Sequence, residues 1–322
     1  MNSWVFATKK LLSGIPLIFG VTLVSFTLMV YFGPDLTYEL LGKNPTAEAV
    51  VEVRQILGYD QPFWQRYMSY LSELIHLDFG LSMVKDQPVV DMLSQAIPVS
   101  LQLMLPGFVL GNLLALIMAM VAVKNRGYWQ DKSIMTAAVF GMSISFLVVI
   151  IGFQLLFASS HGLNWFPVRG WQVHGNNGEF SWLSYIHYVT VPTAAIVFVS
   201  LGYNTRFYRS VLAEQLSKDH ITTAKAFGHK SNAIHYRYML KNAMIPIVTR
   251  VLFSIPLVVV SGSLLIESYF GIPGIGLVTY DAIVAGDQPV LKAIVGLTAV
   301  LFVLVLLMAE MLYRYFDPRT AQ

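Results

Sequence analysis

The chain has 322 residues, of which 56% are apolar and only 12% are charged, and its mean hydropathy is +0.61. Soluble domains carry about a quarter charged residues, so this chain has too little charge to cover a surface that faces water. The net charge of +3 excludes nucleic-acid binding driven by bulk charge, and the absence of cysteine excludes disulfides, cysteine-ligated metals and cysteine nucleophiles.

The sequence predicts an all-α, polytopic membrane protein with six transmembrane helices. A helix needs about 20 mostly apolar residues to cross the hydrocarbon layer. Four long stretches without charge meet this length, and two shorter ones reach it when flanking apolar residues are included. The predicted spans are 11–32, 98–123, 133–158, 187–205, 245–266 and 290–313, preceded by an N-terminal segment at 1–10 and followed by a tail at 317–322.

Lysine and arginine near the helix ends predict the orientation, because cytoplasmic loops are enriched in them. With the N-terminus in the cytoplasm, 14 of these residues lie inside and six lie outside. Nine acidic residues fall in the outside stretch from Asp35 to Asp91. Both termini are therefore predicted to be cytoplasmic.

Three connections are long enough to carry function. Residues 33–97 have apolar side chains at helical spacing, which predicts a small external helical segment. The stretches 160–186 and 267–289 are predicted to be external loops. The main cytoplasmic loop, 206–244, is predicted to contain an amphipathic helix from Arg209 to Phe227, ended by Gly228, and a second helical stretch from Asn232 to Leu240. Taken alone, this pattern also fits a solvated, positively charged loop.

Six motifs follow one another along the chain on the expected sides of the membrane. They are LGYDQP at 57–62, DFGLS at 78–82, NWFPVRG at 164–170, TTAKAFG at 222–228 with NAMIP at 242–246, ESYFGIPGIG at 267–276, and FDPR at 316–319. Together they resemble the permeases of bacterial ABC importers, in the dipeptide, oligopeptide and nickel branch. The resemblance covers nearly the whole chain.

This resemblance implies the transmembrane-domain fold of type I ABC importers, in the bacterial inner membrane. It implies one half of a pore that moves di- or oligopeptides, completed by a second homologous permease. Two cytoplasmic ATPases would bind ATP and magnesium, so the chain itself would hold no cofactor and would not be an enzyme. A periplasmic or lipid-anchored solute-binding protein would deliver the substrate. Antimicrobial-type peptides or nickel are alternative substrates within the same branch.

The resemblance also implies that the loop at 219–230 docks an ATPase. A short helix with small residues allows close approach to a groove in a partner, and an apolar side chain at its end can act as an anchor. Thr222 and Thr223 replace the Glu and the first Ala of the general motif, so no salt bridge can be made by a glutamate there. The predicted coupling residues are Thr223, Ala224, Lys225, Ala226, Phe227, Gly228 and Pro246.

Polar residues inside spans are costly and are therefore candidates for a transport pathway. The alternative is that they bond neighbouring helices or backbone. Ser145 stands where relatives carry a proline, so the sequence gives no proline to kink the third span. The predicted pathway residues, including two at helix-bending positions, are Asn112, Ser143, Ser145, Gln154, Pro256, Ser261 and Glu267.

Other classes of membrane protein lack support in the sequence. A phosphate-binding loop of the GxxxxGK[ST] type is missing, and the histidines have no metal-ligand spacing, so no metal site is predicted. A secondary transporter or channel that works without ATP stays open as an alternative, although the paired ionisable residues at mid-membrane that it would favour are not seen. An intramembrane enzyme would require a catalytic group of residues that the spans do not provide.

Overall fold

The computed structural model describes residues 3–32, 45–56, 58–174 and 178–316, with the isolated positions 37 and 41. Side chains are described except at 3–13, 56, 260, 261, 310 and 313–316. Three features of the sequence therefore lie outside the described residues: Leu57, the side chain of Ser261, and the tail at 317–322.

The described residues are mostly helical, and two isolated β-bridges occur among them, Leu81 to Pro88 and His174 to Phe180. The all-α prediction is confirmed. The helices are α1 (Ser3–Phe32), α2 (Ala47–Ile56), α3 (Phe63–His76), α4 (Val89–Lys124), α5 (Trp129–Ser143), α6 (Phe146–Phe157), α7 (Trp182–Gln215), α8 (Asp219–Ala226), α9 (Ser231–Leu257), α10 (Ser263–Phe270), α11 (Ile275–Ala285) and α12 (Gln288–Phe316).

In the described part of the chain, five helices are long and apolar enough to cross a membrane: α1, α4, α7, α9 and α12. Two bent pairs, α5 with α6 and α10 with α11, also pass when each is taken as one span. The six predicted spans fall within this range of five to seven. Helices of this length satisfy their own backbone hydrogen bonds, which is the requirement for crossing hydrocarbon.

The chain divides into two compact units, one formed by residues 1–97 and 278–307 and the other by 98–277 and 308–322. In the first unit, α3 packs against α1 through aromatic side chains. The Phe26 and Tyr70 rings stack at 5.5 Å, and the Tyr67 hydroxyl donates to the Phe19 carbonyl at 2.9 Å. The helical segment predicted between the first two spans is confirmed by α2 and α3.

The second unit is built on close approach between α4 and α7. A Cβ atom at Gly107 would lie 2.9 Å from Ile196, and one at Gly111 would lie 2.7 Å from the Ser200 Cβ. Two glycines four residues apart are a common device for bringing membrane helices together. This GxxxG pair, which is not among the predicted site residues, brings together the two helices that carry the candidate site.

The single helix predicted from Arg209 to Phe227 is wrong. Helix α7 ends at Gln215, and α8 begins at Asp219 after a turn. The Ser217 hydroxyl donates to the Glu214 carbonyl at 2.7 Å, and the Ser217 amide donates to the same carbonyl at 3.1 Å. Serine hydroxyls that bond the nearby backbone compete with helix continuation, which explains the break.

The third predicted span, 133–158, is a bent pair rather than one helix. Helices α5 and α6 meet at 98°, and Ile144 and Ser145 between them have extended backbone. The bend is therefore present although Ser145 replaces the proline of the family pattern.

The predicted loop at 267–289 is also mostly helical. It contains the end of α10 and the whole of α11, joined by the turn at Gly271, whose φ is +65°. Gly271, Pro273 and Gly274 occupy the short connection between the two helices, whereas Gly276 lies in the first turn of α11.

Candidate functional site

The segment 219–230, called here the 219–230 hairpin, consists of α8 and the turn that leads into α9. Gly228 ends α8 with a left-handed φ of +73°, and the His229 amide donates to the Ala224 carbonyl at 3.2 Å. This is the usual glycine cap of a helix C-terminus. The predicted end at Gly228 is thus where the chain turns.

The side chains of α8 face two ways. Ile221 and Ala224 are buried, with 4% of Ala224 exposed, and pack in a cluster with Leu212 and Met239. Ala224 therefore supports the hairpin from beneath, and the prediction that it offers a small contact surface to a partner does not match its burial.

Four other predicted coupling residues, Thr223, Lys225, Ala226 and Phe227, are exposed. Phe227 is 79% exposed at the tip and lies outside the helices that are long and apolar enough to cross a membrane. The Thr223 hydroxyl donates to the Asp219 carbonyl at 3.0 Å, within the same helix. All four side chains are thus open to contact from outside the chain, with Phe227 at the end of the hairpin.

An ion pair stabilises the base of α7, from which the hairpin extends. The Arg209 guanidinium donates to both carboxylate oxygens of Asp131, at 3.0 and 2.7 Å, and the Gly127 amide donates to one of them at 3.1 Å. A bidentate pair of this kind is geometrically specific as well as strong. Neither Arg209 nor Asp131 is among the predicted site residues, because two residues far apart in the chain form no recognisable local motif.

Pro246 and Pro256 both lie within α9, and Pro256 is buried. A π-helical stretch at Ile234–Leu240 follows the first residues of α9, and a second one at Val258–Gly262 follows its end. Prolines and π turns interrupt the regular hydrogen-bond ladder, so they mark the positions at which this stretch of chain can bend.

Asn112 belongs to a network of polar side chains on three helices. Its side-chain oxygen accepts from the Tyr208 hydroxyl at 2.5 Å and from the Asn204 amide at 3.1 Å. The Asn204 oxygen in turn accepts from Arg250 Nε at 3.3 Å. This network joins α4, α7 and α9, and Tyr208 and Arg250 are members that the sequence analysis did not assign.

Three other predicted pathway residues make local contacts or none. Ser143 donates to the Val139 carbonyl at 2.8 Å, one turn back in α5. Ser145 is exposed at the start of α6 and makes no capping hydrogen bond. Gln154 is buried and donates to the Val168 carbonyl at 2.8 Å, which supports the loop after α6.

Glu267 is completely buried and forms what we call the Glu267 clamp, with Ser100 and the backbone of 274–277. One carboxylate oxygen accepts from the Ser100 hydroxyl at 2.6 Å. The other accepts from the Gly276 amide at 2.6 Å and the Leu277 amide at 3.3 Å. Ser100 also accepts from the Ile275 amide at 2.7 Å, so the carboxylate anchors the start of α11 to α4.

Among the described residues, no three histidine, aspartate or glutamate side chains are grouped so that they could hold a metal ion. The site chemistry of this part of the chain consists of hydrogen bonds, one buried ion pair and exposed apolar surface.

Comparison with known proteins covers nearly the whole chain. Residues 111–322 match the family model described as "Binding-protein-dependent transport system inner membrane component". Residues 4–104 match the model "Binding-prot-dependent transport system membrane comp, N-term".

Individual relatives are similar over almost their full lengths. The dipeptide transport system permease protein DppB of Lactococcus lactis is 32% identical over 300 residues, 93% of each chain. The glutathione transport system permease protein GsiC of Escherichia coli is 30% identical over 313 residues, 97% of each chain. A putative peptide transport system permease protein of Brucella abortus is 30% identical over 314 residues, again 97% of each chain.

Proposed function

Because the chain belongs to the family of inner membrane components of binding-protein-dependent transport systems, we propose that it moves di- or oligopeptides across the bacterial inner membrane. It is a multi-pass permease subunit of an ABC importer, with the helical fold of type I importer transmembrane domains. The proposal about substrate is supported by relatives named for dipeptide, glutathione and peptide transport.

The partners follow from the same proposal. A second homologous permease completes the pore, two cytoplasmic ATPases bind ATP and magnesium, and a solute-binding protein delivers the peptide from outside. Both termini then lie in the cytoplasm, in agreement with the distribution of lysine and arginine.

The observation that carries the coupling role is the exposed surface of the 219–230 hairpin. An exposed aromatic side chain with small and polar neighbours is typical of a residue that a partner's pocket buries. Phe227 has this character, and Ala226 and Thr223 leave room around it. We propose that this surface docks an ATPase, with the buried side of α8 transmitting force to α7 and α9.

The experiment is uptake of a labelled dipeptide into proteoliposomes that contain the chain, its partner permease, both ATPases and the binding protein. We expect uptake only with ATP and the binding protein, and none when the phosphate-binding lysine of the ATPases is replaced. Uptake that continues without hydrolysis would identify a channel or secondary transporter. Uptake of nickel but not of dipeptide would overturn the proposed substrate.

A further inference from the structure

We propose that Arg250 is a binding residue for the C-terminal carboxylate of the transported peptide. The proposal rests on the peptide substrate proposed above and adds a specific contact within the permease. It is carried by the placement of a charged side chain that neighbouring residues position and that no described carboxylate neutralises.

Arg250 is the one charged residue between Lys241 and Glu267. It lies in α9, one of the five helices that are apolar and long enough to cross a membrane. A charged side chain within such a helix is costly, and it almost always faces the interior of a helix bundle or a cavity filled with water. Arg250 is therefore a candidate for a functional role that compensates for the cost of a charge in this helix.

The structure provides no carboxylate for this cation. Within the described residues, no aspartate or glutamate oxygen lies within 4.0 Å of the Arg250 guanidinium, in contrast to Arg209, which has Asp131 at 2.7 Å. Arg250 is also half-buried, so a part of its surface is open in the isolated chain. An ion pair with one of the described carboxylates is thus not the reason for the charge.

The orientation of Arg250 is set by its neighbours. Nε donates to the Asn204 oxygen at 3.3 Å, and the guanidinium carbon lies 4.7 Å from the centre of the Phe207 ring. Asn204 is held by Asn112, which is held in turn by the Tyr208 hydroxyl. One edge and one face of the guanidinium are therefore fixed.

The two terminal nitrogens remain available. Among the described residues neither of them has a hydrogen-bond acceptor, whereas Nε has Asn204. A planar guanidinium held in this way presents two parallel donors, which is the geometry that binds a carboxylate in bidentate fashion. Every peptide with a free C-terminus carries such a group, so this contact would serve many side-chain sequences.

A lipid phosphate near the membrane surface offers the same chemistry to a long arginine side chain. The peptide is favoured because Asn112, Asn204 and Tyr208 hold the guanidinium among three helices instead of leaving it free to reach outward. The experiment below separates the two sources, because only a peptide contact depends on the charge of the peptide.

The test uses the complete reconstituted importer and a tripeptide in two forms, with a free C-terminal carboxylate and as the C-terminal amide. Each form is first shown to be held by the binding protein and is then delivered from the preloaded binding protein. For Arg250→Gln we expect uptake of the free acid to fall by about tenfold or more, with uptake of the amide changed less than about twofold. Arg250→Lys keeps the positive charge but not the two parallel donors of the guanidinium. Its uptake of the free acid should therefore fall by less than that of Arg250→Gln.

Asn204→Ala provides a second variant that leaves Arg250 in place, and it should shift the ratio of acid to amide uptake in the same direction by a smaller factor. Arg126→Gln removes an exposed arginine between α4 and α5 and is the matched control, with an unchanged ratio. Equal losses for acid and amide, no loss, or a change that follows the anionic lipid content alone would overturn the proposal. If the unmodified importer moves neither form, the proposed function itself fails.

Discussion

The second unit contains two connections with glycine at a turn or close contact but with opposite surroundings, the 219–230 hairpin and the Glu267 clamp. In the hairpin, Phe227 is 79% exposed, and a Cβ atom added at Gly228 would meet nothing within 4 Å. In the clamp, Glu267 is fully buried, and a Cβ atom at Gly276 would overlap the backbone of Ser263 and Leu264.

This difference in burial suggests different roles for the two segments. The groups of the clamp make hydrogen bonds and close contacts within the chain, so the fold alone explains its glycines and its glutamate. The outward side chains of the hairpin are exposed, which supports the proposal that a second protein contacts them. Substitutions in the clamp should therefore reduce stability, whereas Phe227→Asp at the hairpin tip should reduce transport without reducing stability.

The largest expected effect on stability is that of Gly276→Ala. The added methyl would overlap backbone atoms, which cannot move aside as a flexible side chain can, and we expect a loss of about 3 kcal/mol. Thermal unfolding of the purified permease in detergent measures it. Gly152→Ala in α6 is the control, since its Cβ enters open space. Equal stability of the two variants would show that the clamp is not closely packed.

Glu267→Gln should have the next largest effect. The side-chain amide can still accept from Ser100, but its NH₂ group then faces the amide donors of Gly276 and Leu277. Leaving buried donors unpaired should cost about 2 kcal/mol in the free energy of unfolding. Glu214→Gln, on an exposed side chain, should leave stability unchanged. A neutral result for Glu267→Gln would mean that the carboxylate does not anchor α11.

Ser100→Ala tests the other half of the clamp and should cost about 1 kcal/mol, because it removes one hydrogen bond to the carboxylate and one acceptor for the Ile275 amide. The matched control is Ser94→Ala, an exposed serine earlier in the same helix. If both substitutions have the same effect in the unfolding measurement, the contact between Ser100 and Glu267 contributes nothing.

Local patterns predicted much of this molecule. Long apolar runs without charge predict the spanning helices, and Gly228 predicts the end of α8, because both depend on neighbouring residues. The break at 216–218 was missed, since Leu212, Leu216 and His220 keep helical spacing across it. Spacing reports which face is apolar and does not report whether a serine interrupts the backbone.

Long-range contacts could not be predicted in the same way. The partner of Glu267 lies 167 residues away at Ser100, and the partner of Asp131 lies 78 residues away at Arg209. Nothing near either residue in the sequence specifies these pairs. Glu267 was recognised as a polar residue of interest, but its part in anchoring α11 needed the folded chain.

The smallest expected effect on stability, and the most direct test of the central claim, is Phe227→Asp. Because most of the Phe227 side chain is already exposed, its replacement removes little buried apolar surface. Membrane insertion and thermal unfolding should therefore match those of the unmodified chain. Gly228→Trp fills the same tip with bulk, and Phe227→Leu keeps an apolar anchor as the control.

The decisive measurement is peptide uptake by the reconstituted importer, with ATP hydrolysis measured in the same vesicles. If the hairpin couples the permease to its ATPase, uptake by Phe227→Asp and Gly228→Trp should fall to background while Phe227→Leu keeps most of it. Full uptake by Phe227→Asp would contradict the assignment of the 219–230 hairpin as the coupling surface.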